Sequence, residues 1–203
     1  MTPAEVTAVY ERTGALLAGH FQLTSGLHAE RYLQSALALR DPANAELLGS
    51  AVAEKFTGRG ATLVVGPALG AMILAHEVAR ALKVPMVFTE RDPDTRRMSL
   101  RRGFSVTPAD RVVMIEDVVT TGGSVAEAGT LVTAAGATIL GYGCIADRTS
   151  GRKVPWTEPF LPLMVMNLKT WQPAECPLCA KGSKAVKPGS RPAGGTGLAG
   201  ANT

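Results

Sequence analysis

Hydrophobic and polar positions along this chain change from one spacing to another, and each change predicts a new element. The segment TPAE at residues 2–5 combines a capping hydroxyl, a proline at the first helical position and a carboxylate at the third, which predicts a helix running to about residue 17. Residues 20–34 are short and alternating around a Thr-Ser-Gly turn, which predicts two short strands.

From residue 41 onward the spacing becomes regular. It predicts helices at residues 43–57 and 70–83, and strands at 62–65 and 86–88. Strands that alternate with helices are typical of a parallel α/β sheet. Residues 90–102 break this pattern with five arginines and three acids, and we expect an exposed loop or a long hairpin there.

The next block predicts a strand followed by a helix. Residues 111–117 are typical of a buried strand and end in two acids. Ser124 and Glu127 have the spacing of a capping box at the start of the helix, and Gly136 is expected to end it.

The rest of the chain is less regular. It predicts strands at residues 138–146 and 164–168, and the segment up to residue 179 stays unassigned. The uncharged run at 128–146 contains four glycines, so a helix, a turn and a strand explain it better than a membrane span.

Composition shows that the chain is globular and that its excess charge is local. Apolar residues make up 46% and charged residues 19%, which excludes a wholly disordered chain. The formal net charge of +4 arises in residues 181–203, which carry four basic side chains and no acid. Because the body is neutral overall, we interpret this end as a solvated tail rather than a binding arm and expect no nucleic-acid partner.

The strongest candidate for chemistry is the string VVMIEDVVTTGGS at residues 112–124. A loop between a strand and a helix N-terminus captures anions, because free backbone N–H groups and the positive end of the helix dipole face the ligand. The loop adds hydroxyl donors and glycines that allow close approach: Thr120, Thr121, Gly122, Gly123 and Ser124. The string therefore predicts a phosphate site.

Phosphate alone does not explain Glu116 and Asp117, because two carboxylates beside a phosphate are unfavourable unless they meet hydroxyls or a metal. A sugar diol joined to a phosphate suits both the carboxylates and the anion-binding loop, so the predicted ligand is a ribose 5-phosphate. The alternative is a capped turn with acids that only happen to lie at a strand end.

This string resembles the phosphoribosyl pyrophosphate (PRPP) signature of type I phosphoribosyltransferases. Other segments are similar to orotate phosphoribosyltransferases in the same order, over roughly residues 10–150: RTGALL at 12–17, GHF at 19–21, LTSG at 23–26, YLQ at 32–34, GPA at 66–68, the arginine-rich stretch and ADR at 146–148. The resemblance implies a transferase of de novo pyrimidine synthesis, which joins the 5-phosphoribosyl group of PRPP to orotate and releases pyrophosphate.

Site residues follow from the resemblance by position. It implies that Glu116 and Asp117 hold the ribose hydroxyls, and that Thr120 and Arg148 contact orotate, whose carboxylate suits the fork of a guanidinium. The resemblance implies that residues 120–124 hold the 5'-phosphate of PRPP. The PRPP-binding segment of the signature also includes Val118 and Val119.

The resemblance further implies a Mg²⁺ ion held mainly through PRPP, with no direct protein ligand, and a basic loop that closes over the pyrophosphate. Arg91 corresponds best to the loop lysine of the family, so we expect Arg91 to bind PRPP and, with Asp117, to be catalytic. The alternative for this stretch is a solvated hairpin.

The chain departs from the family at several points, which include Tyr32-Leu33 in place of an aromatic pair and an arginine-rich loop without the usual histidine and lysines. Leu69-Gly70 stand where an aromatic residue and a lysine are frequent, and Thr24 stands where a lysine is frequent. Two other functions therefore stay open: a purine phosphoribosyltransferase, and a PRPP-sensing regulatory protein that binds nucleic acid through its basic tail.

The expected fold is α/β, with a central, mostly parallel sheet flanked by helices and a small N-terminal hood. We divide the chain into a hood at residues 1–40, a PRPP-binding core at 41–151, a segment at 152–180 that completes the hood, and a disordered basic tail at 181–203. By resemblance we expect a homodimer. The acidic start of the chain and its odd cysteine count favour a cytoplasmic protein with no membrane partner.

Cys176 and Cys179 have half the spacing of a zinc site. Three possibilities stay open for them: zinc shared between two chains of a symmetric dimer, a redox pair, and unligated thiols. The histidines, at positions 20, 28 and 76, show no ligand spacing, so the sequence assigns none of them to a metal.

Overall fold

The computed structural model describes residues 1–23 and 25–188. In chain order its elements are α1 (Pro3–Arg12), β1 (Leu16–Gln22), β2 (His28–Leu33), α2 (Ser35–Leu39), α3 (Pro42–Glu54), β3 (Leu63–Pro67), α4 (Met72–Leu82), β4 (Met86–Arg91), β5 (Met98–Leu100), β6 (Arg111–Val119), α5 (Gly123–Ala134), β7 (Thr138–Asp147), β8 (Phe160–Val165), β9 (Thr170–Trp171), a 3₁₀ turn (Pro173–Glu175) and α6 (Pro177–Ala180). Among these residues no helix is long and apolar enough to cross a membrane.

A six-stranded sheet in the order β5-β4-β3-β6-β7-β8 forms the centre of the protein. All neighbouring strands are parallel except β5, which runs antiparallel to β4. Its central strands are continuous apolar runs, as expected where helices cover both faces of a sheet. The predicted parallel α/β sheet is confirmed.

Alternate side chains of β6 enter the two halves of the core. Val113 and Ile115 pack in the cluster that contains residues of α3 and α4, such as Leu48. Met114 packs on the other face with residues of α5, such as Val125. Because successive strand residues point to opposite faces, this one strand anchors both layers of helices.

The chain forms two compact units. The larger contains Met1–Leu17 and Leu33–Asn167, and the smaller contains Ala18–Tyr32 and the described chain from Leu168 onward. These limits fall at other positions than the sequence-based divisions at 40/41, 151/152 and 180/181. That the two ends of the chain form a hood stays a prediction.

In the smaller unit, β2 pairs with β9, and together with β1 they form the sheet order β1-β2-β9. The backbone of Val186 adds to its edge, since Gln22 N–H donates to Val186 O and Val186 N–H donates to His20 O, both at 2.8 Å. The predicted disordered tail is therefore wrong for this first part. Residues 189–203, like Thr24, lie outside the described residues.

Several predicted boundaries in the larger unit are also wrong, among them the start of the last strand, which is residue 160 and not 164. Helix α1 begins where expected, because Thr2 and Glu5 form the predicted capping box, but it ends at Arg12 instead of residue 17. Gly14 follows with φ of +66°, a left-handed conformation that turns the chain toward β1. The last strand of the sheet is β8, which ends at Val165 instead of continuing to residue 168.

Candidate active site

The candidate site begins where β6 ends and α5 begins. Strand β6 runs to Val119, two residues further than predicted, so both acids remain in the strand. Thr120 and Thr121 follow as an exposed loop, and α5 starts at Gly123. The predicted order of strand, carboxyl pair, hydroxyl loop and helix N-terminus is confirmed.

The start of α5 carries no side-chain cap. Its N-cap is Gly122, whose φ of +74° favours glycine, and the first helical N–H, that of Gly123, makes only a long contact of 3.4 Å with Thr121 Oγ1. The predicted capping box of Ser124 and Glu127 is wrong. A helix start without a side-chain cap leaves backbone N–H groups of the first turn able to bind an anion.

Glu127 has a different role, which sequence reasoning missed. One carboxylate oxygen accepts the backbone N–H of Met98 at 2.8 Å, and the other lies 2.9 Å from Arg91 Nη1. Glu127 therefore ties α5 to the hairpin of β4 and β5. Its sequence spacing to Ser124 suggested a local contact and gave no sign of this one.

Trp156 packs against Gly122 in the hydroxyl loop of residues 120–124, a contact that sequence reasoning also missed. A Cβ at Gly122 would lie 2.8 Å from Trp156 Cη2 and 3.2 Å from Pro155 Cδ, so only glycine fits between the loop and this ring. Trp156 in turn stacks on Tyr142 of β7, with ring centroids 4.1 Å apart. No local pattern connects Trp156 to a loop more than thirty residues earlier.

The two carboxyl groups lie close together at the edge of the sheet. Burial raises the pKa of Glu116 well above its usual range, and the negative charge of Asp117 raises it further. Asp117 faces the turn after β3, because a Cβ at Gly70 would lie only 3.1 Å from Asp117 Oδ1. Gly70, which departs from the family pattern, thus permits close contact between this turn and the carboxylate.

The turn that contains Gly70 begins with the GPA segment at 66–68. Ala68 N–H donates to Thr89 O of β4 at 2.8 Å, which fixes the start of the turn to the sheet. The next peptide bond, from Ala68 to Leu69, is cis, and Leu69 is 82% exposed.

Arg148 lies beside the hydroxyl loop of residues 120–124. It follows β7 directly, its N–H donates to Val119 O at 2.8 Å, and the residue is buried. Because β6 and β7 are parallel and end at the same edge of the sheet, Arg148 follows β7 next to Thr120, which follows β6. These are the two residues expected to contact the base.

The arginine-rich stretch is a hairpin, one of the two predicted forms. Arg91 pairs across it with Met98 at the end of β4, and its guanidinium also donates to Arg96 O at 3.0 Å. Arg102 makes two hydrogen bonds to Glu90, at 2.7 and 2.9 Å. Within the described chain, Arg96 and Arg97 form no ion pair and are exposed, so their charges are open to an anion.

Cys176 and Cys179 belong to the smaller unit, where they lie together with His20 and His28. The expectation that these two histidines have no ligand arrangement is wrong, because it considered spacing along the chain alone. His76 is separate and its side chain is 70% exposed.

Comparison with known proteins agrees with this geometry. The family model for the phosphoribosyl transferase domain matches residues 37–173. An orotate phosphoribosyltransferase of Pelotomaculum thermopropionicum is 46% identical over 94% of this chain and 99% of its own length. One of Carboxydothermus hydrogenoformans is 50% identical over 87% of this chain and 92% of its own length.

The chain belongs to the orotate phosphoribosyltransferase family. Among solved structures, the orotate phosphoribosyltransferase of Aeropyrum pernix is similar with a TM-score of 0.60, at 26% identity over 71% of this chain and 82% of that one. The predicted family and the predicted type I fold are therefore both confirmed.

In this orotate phosphoribosyltransferase, we predict that Glu116→Gln raises thermal stability at neutral pH but not in acid. Below the unfolded pKa of about 4.3 the carboxyl is neutral in both states. As pH rises, the unfolded chain loses this proton first, so the stability of the wild type falls until the raised folded pKa is passed. Melting temperatures measured across pH for both proteins test this.

For a domain of this size, each kcal/mol corresponds to about 2–4 °C in melting temperature. The matched control is Glu54→Gln, which removes an exposed carboxyl at the end of α3. Parallel melting profiles for wild type and Glu116→Gln would contradict the buried-carboxyl interpretation.

Proposed function

We propose that this chain transfers the 5-phosphoribosyl group of PRPP to the ring nitrogen of orotate, giving orotidine 5'-monophosphate and pyrophosphate. The observation that carries this is the junction of β6 and α5. Two adjacent carboxyls, a hydroxyl loop and an uncapped helix N-terminus follow one another there, with Arg148 beside them. The relatives at 46% and 50% identity bear the name of this activity.

Residues 120–124 bind the 5'-phosphate in this proposal, and Glu116 and Asp117 bind the ribose hydroxyls. Burial raises the pKa of Glu116, which favours its protonated form; a protonated carboxyl can donate a hydrogen bond and a carboxylate can accept one. The pair therefore suits a diol, in which each hydroxyl is both donor and acceptor. Holding the ribose here fixes its anomeric carbon as positive charge develops on the sugar.

Arg148 and Thr120 bind orotate. The planar guanidinium presents two parallel N–H donors, which match the two oxygens of the orotate carboxylate. Support comes from the position of Arg148, whose backbone is hydrogen bonded to the last residue of β6. In this proposal, the contact between the Arg148 guanidinium and the orotate carboxylate orients the ring nitrogen of orotate toward the ribose.

Arg91 and the exposed hairpin arginines bind the departing pyrophosphate. Arg91 pairs with Glu127, so we infer that Arg91 exchanges this partner for pyrophosphate. Guanidinium does not lose its proton at neutral pH, so it acts by charge and not as a general acid. The phosphate oxygens of PRPP are the hard donors that Mg²⁺ prefers, and Mg²⁺ held through them would neutralise charge on the leaving group.

The first test supplies the purified protein with PRPP and Mg²⁺ and follows the absorbance of orotate, with adenine, guanine, hypoxanthine, xanthine and uracil in parallel. We expect magnesium-dependent consumption of orotate alone. Turnover of a purine would assign the chain to purine phosphoribosyl transfer. If no base is consumed although PRPP binds, the regulatory alternative is favoured. That alternative would be supported by salt-dependent nucleic-acid binding that is lost when residues 181–203 are deleted.

Asp117→Asn is expected to leave the fold intact and to lower kcat/KM by more than about tenfold, a loss of about 1.4 kcal/mol or more of transition-state stabilisation. The amide keeps the shape but loses the charge that accepts the ribose hydroxyl. Steady-state kinetics against Glu54→Gln as control measures the effect. Near-normal activity of Asp117→Asn would remove this carboxylate from the mechanism.

We also propose that the enzyme is a homodimer. Three of the exposed large apolar side chains belong to α3, α4 and the turn before α4: Leu47, Leu69 and Ile73. Exposed apolar side chains on neighbouring elements are typical of an interface. Location in the cytoplasm stays a prediction.

Sedimentation velocity is expected to give twice the mass of one chain for the wild type and a shift toward one chain for Ile73→Asp. The matched control is Val165→Asp, since Val165 is a comparably exposed apolar residue on β8, an edge strand of the six-stranded sheet. Dissociation by the control alone would place the interface elsewhere.

A further inference from the structure

Four side chains converge in the smaller unit: His20, His28, Cys176 and Cys179. Each offers one ligand atom, and these atoms all lie within 4.8 Å of one another. They come from two distant parts of the sequence, since His28 and Cys179 are 151 residues apart. The C-x-x-C pair thus meets its second pair of ligands within the same chain.

Three of the four separations between these ligand atoms match the edges of a zinc tetrahedron, and the distance between the two histidine nitrogens is shorter. His20 Nε2 lies 2.9 Å from His28 Nδ1 and 3.4 Å from Cys176 Sγ. Cys179 Sγ lies 3.3 Å from His28 Nδ1 and 3.8 Å from His20 Nε2. Zinc bonds of about 2.3 Å to sulfur and about 2.0–2.1 Å to nitrogen place tetrahedral ligands about 3.3–3.8 Å apart.

The surroundings also fit a metal ligand set. His20, His28 and Cys176 are buried, and each comes from a different element or element end. Ser183 Oγ lies 3.2 Å from His20 Nδ1. A proton held on Nδ1 by this hydroxyl leaves the lone pair of Nε2 directed at the cluster, as the outer partners of metal-bound histidines do.

We propose that His20, His28, Cys176 and Cys179 bind one Zn²⁺ ion within a single chain. Two sulfur and two nitrogen ligands are the donor set of a structural zinc site. Binding releases the two thiol protons, so two thiolates neutralise the ion and its burial carries no net charge. Because the protein fills all four positions, the site has none left for a substrate.

The zinc joins strands β1 and β2 to the start of α6. All four ligands lie in the smaller unit, so the ion stabilises that unit by closing a loop that spans most of the chain. The earlier alternative of zinc shared between two chains is unnecessary for coordination, since one chain supplies the complete set. This inference is independent of the proposed reaction.

The test is the metal content of the full chain, purified without chelator from cells given zinc, iron and cobalt. We expect one zinc per chain. Half a zinc per chain, the value for an ion shared between two chains, would contradict the proposal. Cys176→Ala and His28→Ala are expected to lose the zinc. The matched controls remove the other cysteine and the other histidine of the chain, Cys144→Ala and His76→Gln, and are expected to keep it.

A measurement on the wild type avoids dependence on variants that fail to fold. The Co²⁺-substituted protein is expected to show the visible bands of tetrahedral cobalt and a near-ultraviolet thiolate charge-transfer band. Cys179→His is expected to keep zinc and weaken that band, because it exchanges one sulfur for nitrogen. A metal-free chain whose cysteines react freely with a thiol reagent, or form a disulfide, would overturn the proposal.

Discussion

The parallel pairing of β6 with β7 is the constraint on which the candidate site depends. Parallel strands deliver their carboxyl ends to one edge, and here that edge receives the acids and phosphate loop of β6 together with Arg148 after β7. A slip of one residue would turn every side chain of β6 to the opposite face. The apolar clusters on both faces prevent such a slip, so packing of the core sets the geometry of the chemistry.

The same edge concentrates groups that do not stabilise the fold. Glu116 is held in surroundings that disfavour its charge, and α5 begins without the side chain that usually caps a helix. Each of these features lowers stability, and in the proposed function each becomes favourable through contact with a sugar phosphate. The surrounding support is correspondingly strong: Trp156 fits against Gly122, and Glu127 fixes the hairpin to α5.

Local patterns predicted the strand, acids, loop and helix of residues 111–135 because all their determinants are contiguous. The same reasoning failed where a partner was distant. Glu127 looked like a cap but pairs with Met98 and Arg91, and His20 and His28 gain ligand geometry only when the C-terminal cysteines fold against them. Helix α2 was missed because it has five residues and no side-chain cap at Gln34.

The division of the chain between its two units also sets an order of assembly. The sheet of the larger unit is formed by residues between Leu63 and Val165, so all its strands are made before the last segments of the smaller unit. The smaller unit has to wait, because β2 pairs with β9 and the backbone of residues 20–22 pairs with that of Val186. During synthesis, residues 18–32 therefore spend most of the translation time without their final partners.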